Sequence, residues 1–259
     1  ASIGVHTAFQ DSTPLILLIG QVGSDMVERE AFQEMDYRRM YGPMSKWVAQ
    51  IDHAGRIPEY LSHAFHLAVS GRPGPGVLAL PEDMLTSETM TSDAQPYRRV
   101  KAHAGVADLD ALRDMLAASR NPLVILGGGD WSAPACQDMV AFIEANNLPV
   151  TCSFRRQDLI DNRHPNYCGD VGIGINPLLA QSVRHSDLLL TIGARLGEMT
   201  SGGYSLFAIP KPAQKLIHVH PGAEELGRVY QADLMINAGM REFAHALARL
   251  APVDSSGWR

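Results

Sequence analysis

The chain has 259 residues, and 22 basic against 28 acidic side chains leave a net charge of −6. A composition of 46% hydrophobic and 19% charged residues is that of a globular protein with a real core. No basic block is present, which argues against nucleic-acid and anionic-membrane partners, and the longest apolar runs, such as Leu15 to Ile19, are far too short to span a bilayer.

The first segment opens inside a helix at Ala1-Ser2-Ile3 and runs into a strand over 14–19. A long glycine-containing loop follows, with Asp25, Glu28, Glu30, Glu34 and Asp36 forming a solvated acidic face. A strand is predicted near Lys46–Gln50 and a helix over Ile57–Val69, with Ile57, Leu61, Ala64, Phe65 and Ala68 on one face. The turn Gly71-Arg72-Pro73-Gly74-Pro75-Gly76 leads into a strand over Val77–Leu80. About three strands and two helices are few for a self-sufficient layered domain. Residues 1–90 therefore read as half of a domain, and the aperiodic stretch 91–106 as a linker.

From 107 onward the pattern is plainer. Asp108 is the expected N-cap of a helix carrying Leu109, Leu112, Met115 and Leu116, which ends before Asn121-Pro122. Leu123–Leu126 reads as a buried strand opening into Gly127-Gly128-Gly129. Ala135, Met139, Phe142 and Ile143 mark the next helix, and a strand over 150–154 follows. Gly169 to Gly174 reads as a flexible loop, and Asn176-Pro177 as the start of another helix. Leu188–Ile192, Leu216–Val219 and Leu234–Ile236 are further strands, and Met240, Phe243, Ala244 and Leu247 face a closing helix. Apolar strands without polar alternation, separated by helices, imply a doubly wound parallel sheet over 107–259.

Three glycine-bearing turns follow three of these strands: Gly127, Gly128 and Gly129; Gly172 and Gly174; and Gly193 with Arg195. Ligands bind at that carboxyl edge in doubly wound folds, and a helix start beside a glycine turn suits a phosphate. Yet Ser132 stands where a dinucleotide fingerprint needs its third glycine, and the second strand ends in Ser153-Phe154-Arg155 with no acid for a ribose. His218 and His220 share a strand face, but no third metal ligand is spaced to join them, so no metal site is expected. Cys136, Cys152 and Cys168 have no metal-ligand spacing either and read as free buried thiols. No secretory signal is visible at the start, and the expected compartment is the reducing cytoplasm.

Taken in order, Asp11-Ser12-Thr13-Pro14, Gly20-Gln21-Val22, Ala31-Phe32-Gln33-Glu34, Ser45-Lys46, Ile57-Pro58, Ser70-Gly71-Arg72-Pro73-Gly74-Pro75 and Leu80-Pro81-Glu82-Asp83 resemble thiamine diphosphate enzymes of the acetolactate synthase type. This part is similar to the back half of their pyrimidine-binding domain. Asn121-Pro122, the triple glycine, Leu148-Pro149-Val150, Asp187-Leu188-Leu189-Leu190 and Gly193-Ala194-Arg195 resemble their central domain.

The resemblance implies a carboligase or decarboxylase acting on a 2-keto acid through thiamine diphosphate and Mg²⁺. It places the glutamate that activates the coenzyme upstream of Ala1 and the Gly-Asp-Gly magnesium motif beyond Arg259. Gly169-Asp170-Val171 lies in the central segment and lacks that motif's second glycine. The chain is therefore expected to be part of a longer enzyme, inactive alone, and to associate with its missing segments or as a homo-oligomer.

By the same resemblance Gln21, Phe32, Gln33 and Lys46 line the coenzyme pocket or its approach, with Gln21 bonding a substrate oxygen and Lys46 attracting the 2-keto acid. Gly127, Gly128, Gly129, Ser153, Arg155, Gly172, Gly174, Gly193, Arg195 and His220 are the candidate nucleotide-binding residues of the central domain, for FAD or ADP. His220 and Gly222 stand where flavin-binding members carry acids, and Leu196-Gly197-Glu198-Met199 departs from their usual Phe-Asp-Asp-Arg, so FAD, ADP and no ligand all stay open. The alternative function is a non-catalytic nucleotide-binding or regulatory module.

Overall fold

The computed structural model describes residues 1–258. The chain divides into two compact units, Ala1–Val100 and Lys101 onward.

The first unit begins with helix α1 (Ser2–Asp11), followed by strand β1 (Leu15–Gln21), helix α2 (Tyr37–Tyr41) and strand β2 (Trp47–Gln50). Helix α3 (Ile57–Val69), strand β3 (Pro75–Pro81) and the single turn α4 (Glu82–Leu85) complete it. The strands form a parallel sheet in the order β1-β3-β2. Side chains alternate across β3: Val77 packs with Val5 of α1 and Tyr41 of α2, while Leu78 packs with Ala64 of α3, Ile51 and Met84. Buried Arg72 clamps the α3–β3 turn to the end of α1. Its Nε donates to Ser12 Oγ at 2.9 Å, and the guanidinium lies over the Phe9 ring.

The second unit holds helix α5 (Val106–Ala118), strand β4 (Pro122–Leu126), helix α6 (Ala133–Asn146), and strands β5 (Val150–Ser153) and β6 (Tyr167–Val171). Helix α7 (Pro177–His185), strands β7 (Leu188–Ile192), β8 (Lys215–His220) and β9 (Leu234–Asn237), and helix α8 (Met240–Leu247) follow. All six strands are parallel, in the order β6-β5-β4-β7-β8-β9. Both sheet faces are covered. Val124, Leu126, Leu190 and Ile192 pack under α5, α6 and α8 through Leu112, Leu116, Phe142, Ile143 and Phe243. On the other face Leu123, Ile125 and Leu189 pack against Leu179, Ala180 and Val183 of α7. Each such side chain, fully withdrawn from water, contributes about 1.5–3 kcal/mol. This is the α/β doubly wound architecture expected from the unalternating strands.

Two expectations are corrected. Helix α5 starts at Val106, so Asp108 is not its N-cap; its carboxylate reaches back to accept the Gly105 N–H at 3.1 Å. Residues 169–171 are not loop but the end of β6, which pairs with β5 across a register irregularity between Val150 and Cys152. The irregularity sets Cys168 and Gly169 opposite Thr151 alone, whose Oγ1 donates to the Gly169 carbonyl at 2.7 Å.

Candidate functional site

In the first unit Gln21 and the loop that carries Phe32 and Gln33 follow the carboxyl end of β1, whereas Lys46 precedes β2 at the opposite, amino edge of the sheet, level with Leu15. Gln21 is buried; its Nε2 donates to the Met35 carbonyl at 2.7 Å and its Oε1 accepts the Val22 N–H at 3.0 Å. Both polar ends of the amide thus hold the loop 22–36, and substrate bonding by Gln21 would have to compete with them. Glu34 fixes the same loop by accepting the Glu28 and Ala31 N–H groups, which holds its carboxyl below the usual carboxylate range. Asp83 pins its other shoulder through Ser24. At the tip Phe32 is 89% exposed, and Gln33 beside it has a φ of 66°. Lys46 is placed differently from expectation. Its ammonium donates to the carbonyls of Leu67 and Ser70, at the end of α3, where a cation satisfies groups that the helix leaves open. Electrostatic attraction of a 2-keto acid is therefore not the role its geometry shows.

In the second unit the strand order reverses between β4 and β7, so the crevice of a doubly wound sheet lies at their carboxyl ends. The two glycine turns meet there. A Cβ on Gly128, whose φ is +68°, would lie 2.1 Å from the Gly193 carbonyl oxygen. One on Gly193, φ +78°, would lie 2.4 Å from the Gly127 oxygen. One on Gly127 would lie 2.2 Å from Ser153 Oγ. These glycines serve the close approach of backbone to backbone. Three of their backbone groups are engaged as well: Gly127 N–H donates to Ile192, Gly193 N–H to Val219, and Trp131 Nε1 to the Gly127 carbonyl. Only Gly129 of the triad has open space around its missing Cβ.

Helix α6 does not begin at the triad. Asp130, Trp131 and Ser132 intervene, and Ser132 is the N-cap, its Oγ accepting the Ala135 N–H at 3.3 Å. Pro134 follows in the first turn and brings no N–H. Asp130 pairs with Arg241 at 3.1 Å, placing a carboxylate directly after the glycines.

Arg195 reaches Glu225, its Nε 3.3 Å from a carboxylate oxygen, and Arg228 holds the other oxygen at 2.9 Å. The Glu225 side chain is only 2% exposed. His218 shares a hydrogen bond of 2.9 Å with the Ala194 carbonyl. His220, 3% exposed, accepts the Gly222 N–H on Nδ1 at 2.9 Å. Burial keeps both rings neutral, pushing His220 down to about 4. Arg155 stacks on Phe154, which also packs against Gly172. Gly172 and Gly174 line a separate open groove of about 360 Å³ with Ile173, Arg184, Glu198 and Met199.

The structure thus gathers Gly127, Gly128, Ser153 and Gly193 into one contact, places Gly172 and Gly174 on a different groove, and engages Arg195 and His220 internally. Glu225, Asp130 and Pro134 were missed by sequence reasoning. The Glu225-to-Arg228 spacing was a visible signal of pairing, whereas nothing local marks a buried acid. Among the described residues no group of three or more His, Cys, Asp or Glu could hold a metal ion. No helix there is long and apolar enough to cross a membrane. The thiols differ in setting: Cys152 is buried, Cys136 partly buried and Cys168 exposed, which corrects the reading of all three as buried.

Residues 109–247, more than half of the chain, match the family described as thiamine pyrophosphate enzyme, central domain. The chain belongs to this family. Among curated relatives, this thiamine pyrophosphate enzyme chain is 31% identical over 246 residues to the acetolactate synthase large subunit of Corynebacterium glutamicum, covering 93% of this chain and 38% of that protein. It is 32% identical over 246 residues to the isozyme 1 large subunit of Escherichia coli, covering 94% and 42%. It is also 29% identical over 269 residues to a probable acetolactate synthase large subunit of Methanocaldococcus jannaschii, covering 98% and 44%. The chain therefore spans about two fifths of the length of these curated relatives.

The FAD or ADP that the sequence resemblance implied for the second unit is not matched by the residues present. A dinucleotide at a doubly wound sheet needs a backbone cradle at the crevice, open donors at a helix start and a ribose acceptor at a strand end. Here the cradle is filled by the facing turn, the helix start carries Pro134 behind a carboxylate, and β8 ends in a neutral imidazole bonded to its own loop.

Proposed function

We propose that these residues form part of a thiamine diphosphate-dependent enzyme of the acetolactate synthase type, acting on a 2-keto acid. The observation carrying this reading is the similarity to acetolactate synthase large subunits over 93% of the chain, both units included. Thiamine diphosphate would supply the electron sink that lets the bond beside a keto carbonyl break. Mg²⁺ and the coenzyme-activating carboxylate would come from the remaining length that the relatives have. In this reading the second unit is a scaffold, and the first presents a catalytic-side loop. Gln21, Glu34 and Asp83 hold the loop 22–36, leaving Phe32 and Gln33 at its tip to face coenzyme or substrate. Lys46 contributes by fixing the end of α3. We propose a small-molecule substrate, association with further segments or a second copy, and a cytoplasmic setting.

The test is to join this chain to the flanking coding sequence of its own gene and assay pyruvate with thiamine diphosphate and Mg²⁺. Coenzyme-dependent formation of a carboligation or decarboxylation product is expected, with a loss of about tenfold or more in Phe32→Ala. A loop wall that contributes about 1.4 kcal/mol to the transition state would give that change. A longer polypeptide that consumes no 2-keto acid would overturn the reading.

A further inference from the structure

We infer that the second unit is a nucleotide-free scaffold: its doubly wound crevice is closed by the chain's own backbone, so it holds neither FAD nor ADP. The inference takes family membership as given and does not depend on the carboligase reading.

Four features at the carboxyl edge carry it. The turns after β4 and β7 occupy each other's space, with no room for even one carbon on Gly128 or Gly193. A pyrophosphate needs that backbone uncovered, and the Gly127 and Gly193 N–H groups already complete ladder bonds to Ile192 and Val219. The first turn of α6 offers few donors, because Ser132 takes the Ala135 N–H and Pro134 has none. The Asp130 carboxylate beside it, held by Arg241, would repel a phosphate in place of attracting one. Arg195, a cation at this edge, has its Nε on a buried Glu225 that Arg228 also grips, so part of the charge a diphosphate would meet is already balanced. At the end of β8 the His220 Nδ1 is bonded to Gly222 within its own loop and accepts no ribose hydroxyl.

The remaining space does not restore a site. The groove at Gly172 and Gly174 belongs to the loop after β6 and is lined by one cation and one anion, Arg184 and Glu198. Those two charges cancel, so the groove presents no net cation to the diphosphate of either nucleotide.

Trp131 makes the inference testable in place, since its indole N–H bonds the Gly127 carbonyl in the crevice wall. The whole chain with Trp47→Phe and Trp258→Phe leaves Trp131 as the sole emitter. It is titrated with ADP and, with an inner-filter control, with FAD; in parallel, the unaltered chain is purified in the presence of FAD and its visible absorbance read. Unchanged Trp131 emission and a colourless protein are expected, together with a melting temperature that neither nucleotide raises. Saturable quenching, a stoichiometric flavin band, or a ligand-dependent rise in melting temperature would overturn the inference. Any of these would leave thiamine-dependent turnover of the longer enzyme untouched, so the two readings fail separately.

Discussion

Substituting Gly128 by Ala tests whether the triple glycine serves the protein's own packing or a ligand. The new Cβ would sit 2.1 Å from the Gly193 oxygen, inside the 3.0 Å that real Cβ atoms keep, and the obstacle is backbone that cannot swing aside. A left-handed conformation adds about 1–2 kcal/mol for a residue with a Cβ, and forcing an atom into packed space adds about 1–3 kcal/mol. The expected loss of about 2–5 kcal/mol is a large share of a typical stability of about 5–15 kcal/mol. Gly129→Ala is the internal control: nothing lies within 4 Å of its added carbon and its φ is not left-handed, so a change within about 0.5 kcal/mol is expected. Urea unfolding followed by Trp131 fluorescence measures both, since that indole bonds the Gly127 carbonyl. Equal midpoints for the two variants would refute the reasoning, because glycines kept open for a ligand would tolerate alanine alike in the empty protein.

Three further outcomes are expected. His220 is neutral and buried with a value near 4 against an ordinary 6.5, so the unfolded chain binds the extra proton as pH falls below about 6.5. Stability therefore declines from about 6.5 toward about 4 at up to about 1.4 kcal/mol per pH unit, and His220→Asn should flatten that slope in pH-dependent urea melts; an unchanged slope contradicts the assignment. Lys46→Met should destabilise the first unit by about 1–2 kcal/mol, through the two α3 carbonyls it leaves, as read from the neighbouring Trp47; no change would mean the ammonium is not holding them. Thiol labelling should reach Cys168 first and Cys136 more slowly. Cys152, pushed up to about 12 by burial, should react only on unfolding, and its labelling in the native protein would contradict the fold.

Much of the fold was legible because its signals are local. Strand β4 is an unbroken apolar run and β7 is broken only by Thr191, and in α7 Asn176 caps as its position before Pro177 implied, accepting the Leu178 N–H at 2.8 Å. Strand β6 was hidden because a glycine and an aspartate within five residues, at a register irregularity, look like loop over a span this short. The start of α5 was misread by three residues, since an acid before an apolar helical stripe suits either the cap or the third helical position, and here Asp108 takes the latter and accepts the N–H of the cap residue Gly105. The site was less legible for a different reason. Whether a glycine waits for a phosphate or for a facing turn depends on what lies across the sheet, and Gly193 is remote in sequence from Gly128. Likewise, Lys46 reads as a substrate cation until the fold brings Leu67 and Ser70 to it.

The central claim is that these residues build the walls and framework of a thiamine diphosphate enzyme while other polypeptide activates the coenzyme. Its most direct test is the rate of pyruvate consumption by the 259-residue chain alone, with saturating thiamine diphosphate and Mg²⁺. No consumption above the coenzyme-only background is predicted, whereas sustained turnover by this chain alone would contradict the account.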